Sequence, residues 1–319
     1  MILYDRERAI QRMNTLAKKG KDFIFIINYK ADGAYIEEST NIDPHELLFD
    51  FPSLSNVPEG ESYSNEAVEW FTEPPTREDY EPRINLVKQR EREGDSYLAN
   101  LTCKIPIRTN LSLHDIFMRS KALYRCWLKE KFVCFSPEIF VRINKEGLIS
   151  SFPMKGTIDA TRPEAEKELM ENKKEAAEHA TIVDLIRNDL SIIAEQVQVK
   201  RYRYIDHLTT NKGEILQTSS EITGQLPMDY RENVGTLLFR LLPAGSITGA
   251  PKPRTMEIID EAEGYERDFY TGVMGCYSKG QLDSAVMIRF IDQDKDRQLH
   301  YKAGGGITAQ SNNDDEYKE

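Results

Sequence analysis

The sequence predicts an α+β fold. Strand-like runs fall in clusters, at 132–153 and again at 270–303, with helical stretches set between them rather than after every strand. No regular strand–helix alternation sets up a parallel sheet, and no fixed-period repeat suggests a solenoid. At 319 residues the chain is long enough for two units of about 150 residues each. No low-complexity linker divides it, so one large domain or two closely packed halves fit equally well.

The elements follow in order. Phe23 to Ile27 is a short buried strand, closed by the turn signal Asp32-Gly33. Residues 52–76 carry four prolines among Ser, Asn and Glu and read as an irregular excursion. Thr76 offers an N-cap to a helix whose apolar positions are Tyr80, Ile84 and Val87 and which stops at Gly94. Residues 97–107 read as a strand and 112–129 as an amphipathic helix. Three short strands follow at 132–135, 139–143 and 148–153. From Pro163 one long charged helix runs to about Ala180 and on into Ile182 to Ile186. Residues 197–205 alternate apolar and basic side chains, as a half-exposed strand does. Helices are expected at 231–242 and at 252–263, the latter announced by Pro251 and Pro253. Strands at 270–278, 283–291 and 297–303 lead into Gly304-Gly305-Gly306, read as a turn, and a final acidic stretch.

A net charge of −11 speaks against nucleic-acid binding, which needs a basic face. No apolar run approaches the roughly 18 residues of a membrane span. Met1 to Gly20 is charged and amphipathic, unlike a signal or transit peptide, so a cytoplasmic protein is expected. Cys103, Cys126, Cys134 and Cys276 are scattered among apolar neighbours, as buried free thiols are.

Several groups could carry chemistry. Lys155, in Phe152-Pro153-Met154-Lys155-Gly156, is a lone charge beside an apolar run, either a turn lysine facing water or an amine held close to a reaction partner. Gly245 to Lys252 fails as a phosphate loop, because Ala-Pro separates Gly249 from Lys252. Both this stretch and Gly304 to Gly306 could still present backbone N–H groups to an anion, or simply turn tightly. Glu175 and Glu178 share a helix face, and Glu316 and Glu319 repeat the spacing. Converging, the pairs would suit Mg²⁺; with 53 acidic residues, solvated helix faces give the same pattern. His179 and His207 stand alone, with no nucleophilic triad or histidine cluster around them.

Taken in order, Gly94-Asp95-Ser96-Tyr97, Ser136-Pro137-Glu138, Pro153 to Thr157, Glu178 with Ile182 to Leu190, Gly245 to Lys252, Met256 to Ile259, Ile288-Arg289 and Ala303 to Ile307 resemble the chorismate-utilising enzymes. The 184–190 and 245–252 blocks are the specific ones, and the resemblance covers residues 94–319. It implies two stacked antiparallel sheets with helices outside. Residues 94–319 would form the chorismate-binding core and 1–93 a short N-terminal part of the same fold, without the Leu-Leu-Glu-Ser segment of tryptophan-binding relatives. Within the family, anthranilate synthases carry alanine at position 155 and isochorismate-type enzymes carry Leu-Ala-Gly; a lysine resembles the aminodeoxychorismate synthase branch.

That resemblance implies roles. Lys155 would be the nucleophile and Glu138 the general acid. The lysine pKa would have to fall, by desolvation or by nearby positive charge, and Phe152, Pro153 and Met154 are consistent with an apolar flank. Glu178 and Glu319 would hold Mg²⁺, with Glu175 and Glu316 supporting them through water. Arg289 would pair with a substrate carboxylate. Gly245, Ser246, Ala303, Gly304 and Gly305 would cradle a second one, with Thr248 lining the pocket. Partners would be chorismate, ammonia and a separate glutamine amidotransferase, since the chain has no Gly-x-Cys-x-Gly nucleophile turn. The alternatives are an anthranilate synthase component I, or a chorismate-binding subunit without turnover. Leu98 and Gln217 depart from the family pattern: Leu98 stands where relatives have glutamine or a water-activating lysine, and Gln217 where histidine is common.

Overall fold

The structure is a computed structural model that describes residues 1–58, 60, 66–210 and 213–318. Two antiparallel sheets form its centre. Among the described residues the larger has ten strands. Its order is Leu3–Asp5, Gly33–Glu38, Phe23–Ile27, Val273–Ser278, Gln281–Val286, Ile139–Ile143, Leu148–Ser151, Gly213–Gln225, Met154–Asp159, with Glu195–Thr210 also paired to Gly213–Gln225. The smaller has nine strands, in the order Gly249–Ala250, Leu98–Thr109, Leu299–Ile307, Phe290–Gln293, Phe132–Ser136, Tyr124–Leu128, Leu47–Phe51, Leu54–Ser55. Trp70–Thr72 adds to its Leu98–Thr109 edge.

The sheets pack face to face. One core joins Ile24, Ile26, Met274 and Cys276 of the larger sheet to Phe49, Cys126, Phe132 and Cys134 of the smaller. Each large apolar side chain sealed there contributes about 1.5–3 kcal/mol. The opposite faces are covered by helices. Arg6–Lys18, Lys173–Ser191 and Val234–Leu241 bury Met13, Leu16, Val183, Ile186 and Leu238 against the larger sheet. Arg77–Arg92 and Lys252–Glu263 bury Ile84, Val87 and Ile258 against Ala99, Leu101 and Ile307 of the smaller. All four cysteines are buried and free. No helix of the described residues is long and apolar enough to cross a membrane.

Thr76 caps its helix as expected, its hydroxyl accepting from Asp79 N–H at 3.2 Å. Elsewhere the sequence reading needs correction. The helix expected over 112–129 covers only Leu113–Arg119, closed at its start by the reciprocal Ser112–Asp115 capping box. Tyr124–Leu128 is a strand, because its aromatic and apolar side chains fill the intersheet core and pair with Phe132–Ser136. The long charged helix is two, Ala165–Glu171 and Lys173–Ser191. Asn172 breaks it in an extended conformation, and its side chain accepts from Glu175 N–H at 3.1 Å. Residues 283–291 are not one strand: Gln281–Val286 lies in the larger sheet and Phe290–Gln293 in the smaller. Gly213–Gln225 is a strand that the sequence reading left out.

Gly304 to Gly306 is no turn but strand interior, paired with Thr102, Leu101 and Asn100 in the ladder between Leu98–Thr109 and Leu299–Ile307. Glycine is needed there for close approach, since a Cβ on Gly304 would sit 2.3 Å from Leu101 O.

The break at Asn172 decides where the helix carrying Glu175 and Glu178 begins. Asn172→Ala should cost about 1 kcal/mol of stability, the usual cost of losing such a cap. Urea denaturation checks this, and the cap assignment fails if the midpoint does not move.

Candidate active site

A cleft of about 370 Å³ opens between the sheets and collects side chains from distant parts of the chain. Glu138 stands in the link between Phe132–Ser136 and Ile139–Ile143, where the chain leaves the smaller sheet for the larger. Arg289 stands in the reverse link, between Gln281–Val286 and Phe290–Gln293. The two links run side by side, Phe135 N–H donating to Arg289 O at 3.2 Å and Val286 N–H to Glu138 O at 3.1 Å. Arg289 takes a left-handed backbone with φ of 53° and is exposed to the cleft.

Lys155 lies in Met154–Asp159, where the register against Gly213–Gln225 shifts between Met154 and Thr157. Such a bulge re-aims a side chain. Here Lys155 Nζ stands 2.9 Å from Glu178 Oε2 on the neighbouring helix. Gly156 has φ of 86°, and a Cβ there would come within 3.1 Å of Glu175 Oε2. The left-handed backbone favours glycine at this position, and the carboxylate beside it leaves little room for a side chain. The ion pair with Glu178 holds the amine, and the lysine side chain remains 37% exposed. The lysine is ion-paired at the cleft wall. Its carbonyl accepts from the Thr218 hydroxyl.

Glu138 is in a different environment. The residue is half-buried in the cleft wall, and desolvation raises the pKa of its carboxyl from the ordinary carboxylate value. Ser246 Oγ donates to Glu138 Oε1 at 2.6 Å and opposes that shift in part. A carboxyl so placed tends to keep its proton and can give it away.

Glu175, Glu178 and Glu316 reach the same cleft, Glu316 from the helix Asn313–Lys318. Glu319 lies outside the described residues. Among those described, no three acidic, histidine or cysteine side chains converge into an assembled metal cage. The donors nevertheless suit a hard cation. They are all carboxylate oxygens, and Glu175 Oε2 is buried without a hydrogen-bond partner. An orphaned buried carboxylate oxygen is costly unless a cation or water meets it.

Of the cradle residues, Ser246, Ala303, Gly304 and Gly305 line the cleft. Gly245 and Thr248 do not. A Cβ on Gly245 would meet Asp189, and Thr248 is fully buried behind the short turn Gly245–Thr248. Lys174, Asn100, Ile247, Tyr270 and Tyr301 also line the cleft, and the sequence reading passed over them in this role. Lys174 Nζ stands 3.8 Å from Glu178 Oε1; its position directly before Glu175 was the available signal. His179 faces the sheet instead, its Nε2 2.6 Å from Ser220 Oγ, and burial pushes its pKa down to about 4. Gln217 Nε2 donates to Thr157 Oγ1 at 3.3 Å, within the strand pair that holds Lys155. Leu98 packs close to Gly306 and supplies no base there. A larger hollow of about 580 Å³ beside His114 and Trp127 contains none of these groups.

An acid, a lysine, an arginine and a set of carboxylates gathered between two antiparallel sheets define an enzyme that works on a small anionic substrate. Residues 4–319 match the family described as chorismate binding enzyme, and the chain belongs to it. It is 44% identical over 313 residues to an uncharacterized PabA-like protein of Haemophilus influenzae, covering 98% of this chain and 94% of that one. It is 34% identical over 266 residues to anthranilate synthase component 1 of Acetivibrio thermocellus, covering 76% of this chain but 51% of that longer protein. The fold is shared with a putative 2,3-dihydroxybenzoate-specific isochorismate synthase of Bacillus anthracis, at a TM-score of 0.72, 18% identity and 99% and 87% coverage of the two chains. It is also shared with anthranilate synthase component I of Streptococcus pneumoniae, at a TM-score of 0.69, 21% identity and 94% and 78% coverage. The protein is a chorismate-utilising enzyme.

The burial of Glu138 makes a prediction about stability. A carboxyl whose pKa is raised on folding supports the folded state at pH below its unfolded value and loses that support as pH rises through the folded value. Glu138→Gln should therefore raise Tm at pH 8, with a difference that shrinks toward pH of about 4. Thermal melts across pH decide; a variant less stable at every pH contradicts a buried, proton-retaining Glu138.

Proposed function

We propose that the protein is an aminodeoxychorismate synthase component I, converting chorismate and ammonia to 4-amino-4-deoxychorismate through an intermediate on Lys155. The observation that carries this reading is the placement of Lys155 Nζ in the cleft wall, 2.9 Å from Glu178, in a cleft that Glu138 also lines. A lysine at this point offers a nitrogen nucleophile in place of water.

The chemistry proceeds in two exchanges. Attack requires the amine to shed its proton, which its 37% exposed side chain can pass to solvent. Lys155 Nζ then bonds to C2 of the ring, both ring double bonds shift, from C1–C2 to C1–C6 and from C5–C6 to C4–C5, and the C4–oxygen bond breaks. Glu138 gives its proton to the departing hydroxyl, which leaves as water. Ammonia next attacks C4, both double bonds shift back, the C2–nitrogen bond breaks, and the proton that ammonia gives up goes to the departing lysine amine. One hard substitution becomes two easier ones. Arg289 is exposed to the cleft and suited to a substrate carboxylate, which a guanidinium grips with two bonds.

Mg²⁺ would be held by Glu178 and Glu319, with Glu175 and Glu316 supporting them through water, and when bound it would supply positive charge to a ring carboxylate. Leu98 in place of a base disfavours water as the attacking group. Ammonia would come from a separate glutamine amidotransferase, which fits the absence of a Gly-x-Cys-x-Gly turn in this sequence.

A second reading is an anthranilate synthase component, favoured by the 34% identity to one such protein. Protein incubated with chorismate and Mg²⁺ but no ammonia should carry a substrate-derived mass on Lys155, absent from Lys155→Ala. With ammonium added, no fluorescent anthranilate should form directly. Undiminished ammonia-dependent turnover in Lys155→Ala rules out the covalent route, and direct anthranilate formation selects the second reading.

A further inference from the structure

We infer that the buried pair Glu263–Arg267 is a positioning device for the general acid: it fixes the turn carrying Ser246, and Ser246 holds Glu138. The inference rests on the reading of Glu138 as the proton donor. Both side chains of the pair are 1% exposed. Arg267 Nε donates to Glu263 Oε2 at 2.8 Å and Nη2 to Glu263 Oε1 at 2.5 Å. The rest of the guanidinium grips backbone. Nη2 donates to Asn100 O at 2.5 Å, and Nη1 to Ile247 O at 3.1 Å and Thr271 Oγ1 at 3.3 Å. Asn100 and Ile247 both line the cleft, one on the strand Leu98–Thr109 and the other on the turn Gly245–Thr248.

One buried cation thus ties two walls of the cleft together. Glu263 extends the tie, accepting from Thr102 N–H and from its hydroxyl, both at 2.8 Å. Ser246 directly precedes Ile247, and its hydroxyl donates to Glu138 Oε1 at 2.6 Å. A buried ion pair contributes little net stability, because desolvation offsets much of its attraction. A well-packed apolar pair would fill the same volume. It could not donate to carbonyls on two separate segments, and that is what sets the distance between turn and strand. The catalytic consequence follows from geometry, since misplacing a reacting group by about 1 Å can cost on the order of 10²-fold in rate.

The test follows chorismate consumption with Mg²⁺ and ammonium, whatever the product. Arg267→Lys keeps the charge opposite Glu263 but cannot span both carbonyls. It should lower kcat about 10- to 100-fold with KM for chorismate changed less than about 3-fold. Ser246→Ala should do the same, and Ser246→Thr should recover most of the loss. The double variant Arg267→Lys/Ser246→Ala should be no slower than Ser246→Ala, because both changes act through one bond. Should Arg267→Lys fail to fold, Glu263→Gln loosens the same clamp and should show the same kcat loss at unchanged KM. Wild-type kcat per folded enzyme in these variants overturns the inference, as do losses that multiply in the double variant. Glu138→Gln, run alongside, separates the two claims. Full activity in it removes the reading of Glu138, whereas its inactivity beside multiplying losses removes only the positioning role.

Discussion

Two stretches of chain cross between the sheets side by side, and the architecture of the site follows from that crossing. Phe132–Ser136 passes into Ile139–Ile143 while Gln281–Val286 passes back into Phe290–Gln293, so each sheet receives one adjoining pair of strands. The bonds from Phe135 N–H to Arg289 O and from Val286 N–H to Glu138 O keep the two crossings in register. Residues in a crossing cannot belong fully to either sheet, so their side chains are released into the space between. Glu138 and Arg289 are such residues. The sandwich core, with Cys134, Ala285, Met287 and Phe290 buried around the crossing, holds them without either having to be in a regular strand.

The other wall meets this crossing through charge. Lys155 and Lys174 face Glu178, and Glu175 keeps an oxygen buried without a partner. Charges gathered this closely are tolerable only when opposed, and the cleft balances them locally by alternating lysines and carboxylates. Glu138 stands apart, bonded to a hydroxyl rather than to a cation, and its burial favours the protonated form. A single cleft thus holds a desolvated carboxyl bonded to a hydroxyl and carboxylates paired with lysines, distinguished by surroundings rather than by residue type.

Much of this was legible in the sequence, unevenly. The cap at Thr76, the strand at Phe23–Ile27 and the helix at Lys252–Glu263 follow from local chemistry, and they stand where local chemistry put them. The crossing at 287–289 was not legible, because the stretch from Ala285 to Ile291, apolar but for Arg289, has no glycine or proline to mark a change of sheet. Gly304 to Gly306 misled for the opposite reason. Glycine suggests a turn, but here it admits a neighbouring backbone, a tertiary cause invisible to local rules. The cleft residues span positions 100 to 316, and spacing alone could not bring them together. Resemblance brought most of them, yet it placed Thr248 in a pocket from which the structure withdraws it, and it did not foresee the ion pair between Lys155 and Glu178.

The central claim is that Lys155 directs nitrogen to C4 of the substrate ring. It is tested most directly by incubating the protein with chorismate, Mg²⁺ and ¹⁵N-ammonium and locating the label in the product by NMR. The account predicts 4-amino-4-deoxychorismate, with ¹⁵N on C4 and the enolpyruvyl group retained. Label on the C2 carbon of anthranilate, or an unlabelled isochorismate, would contradict it.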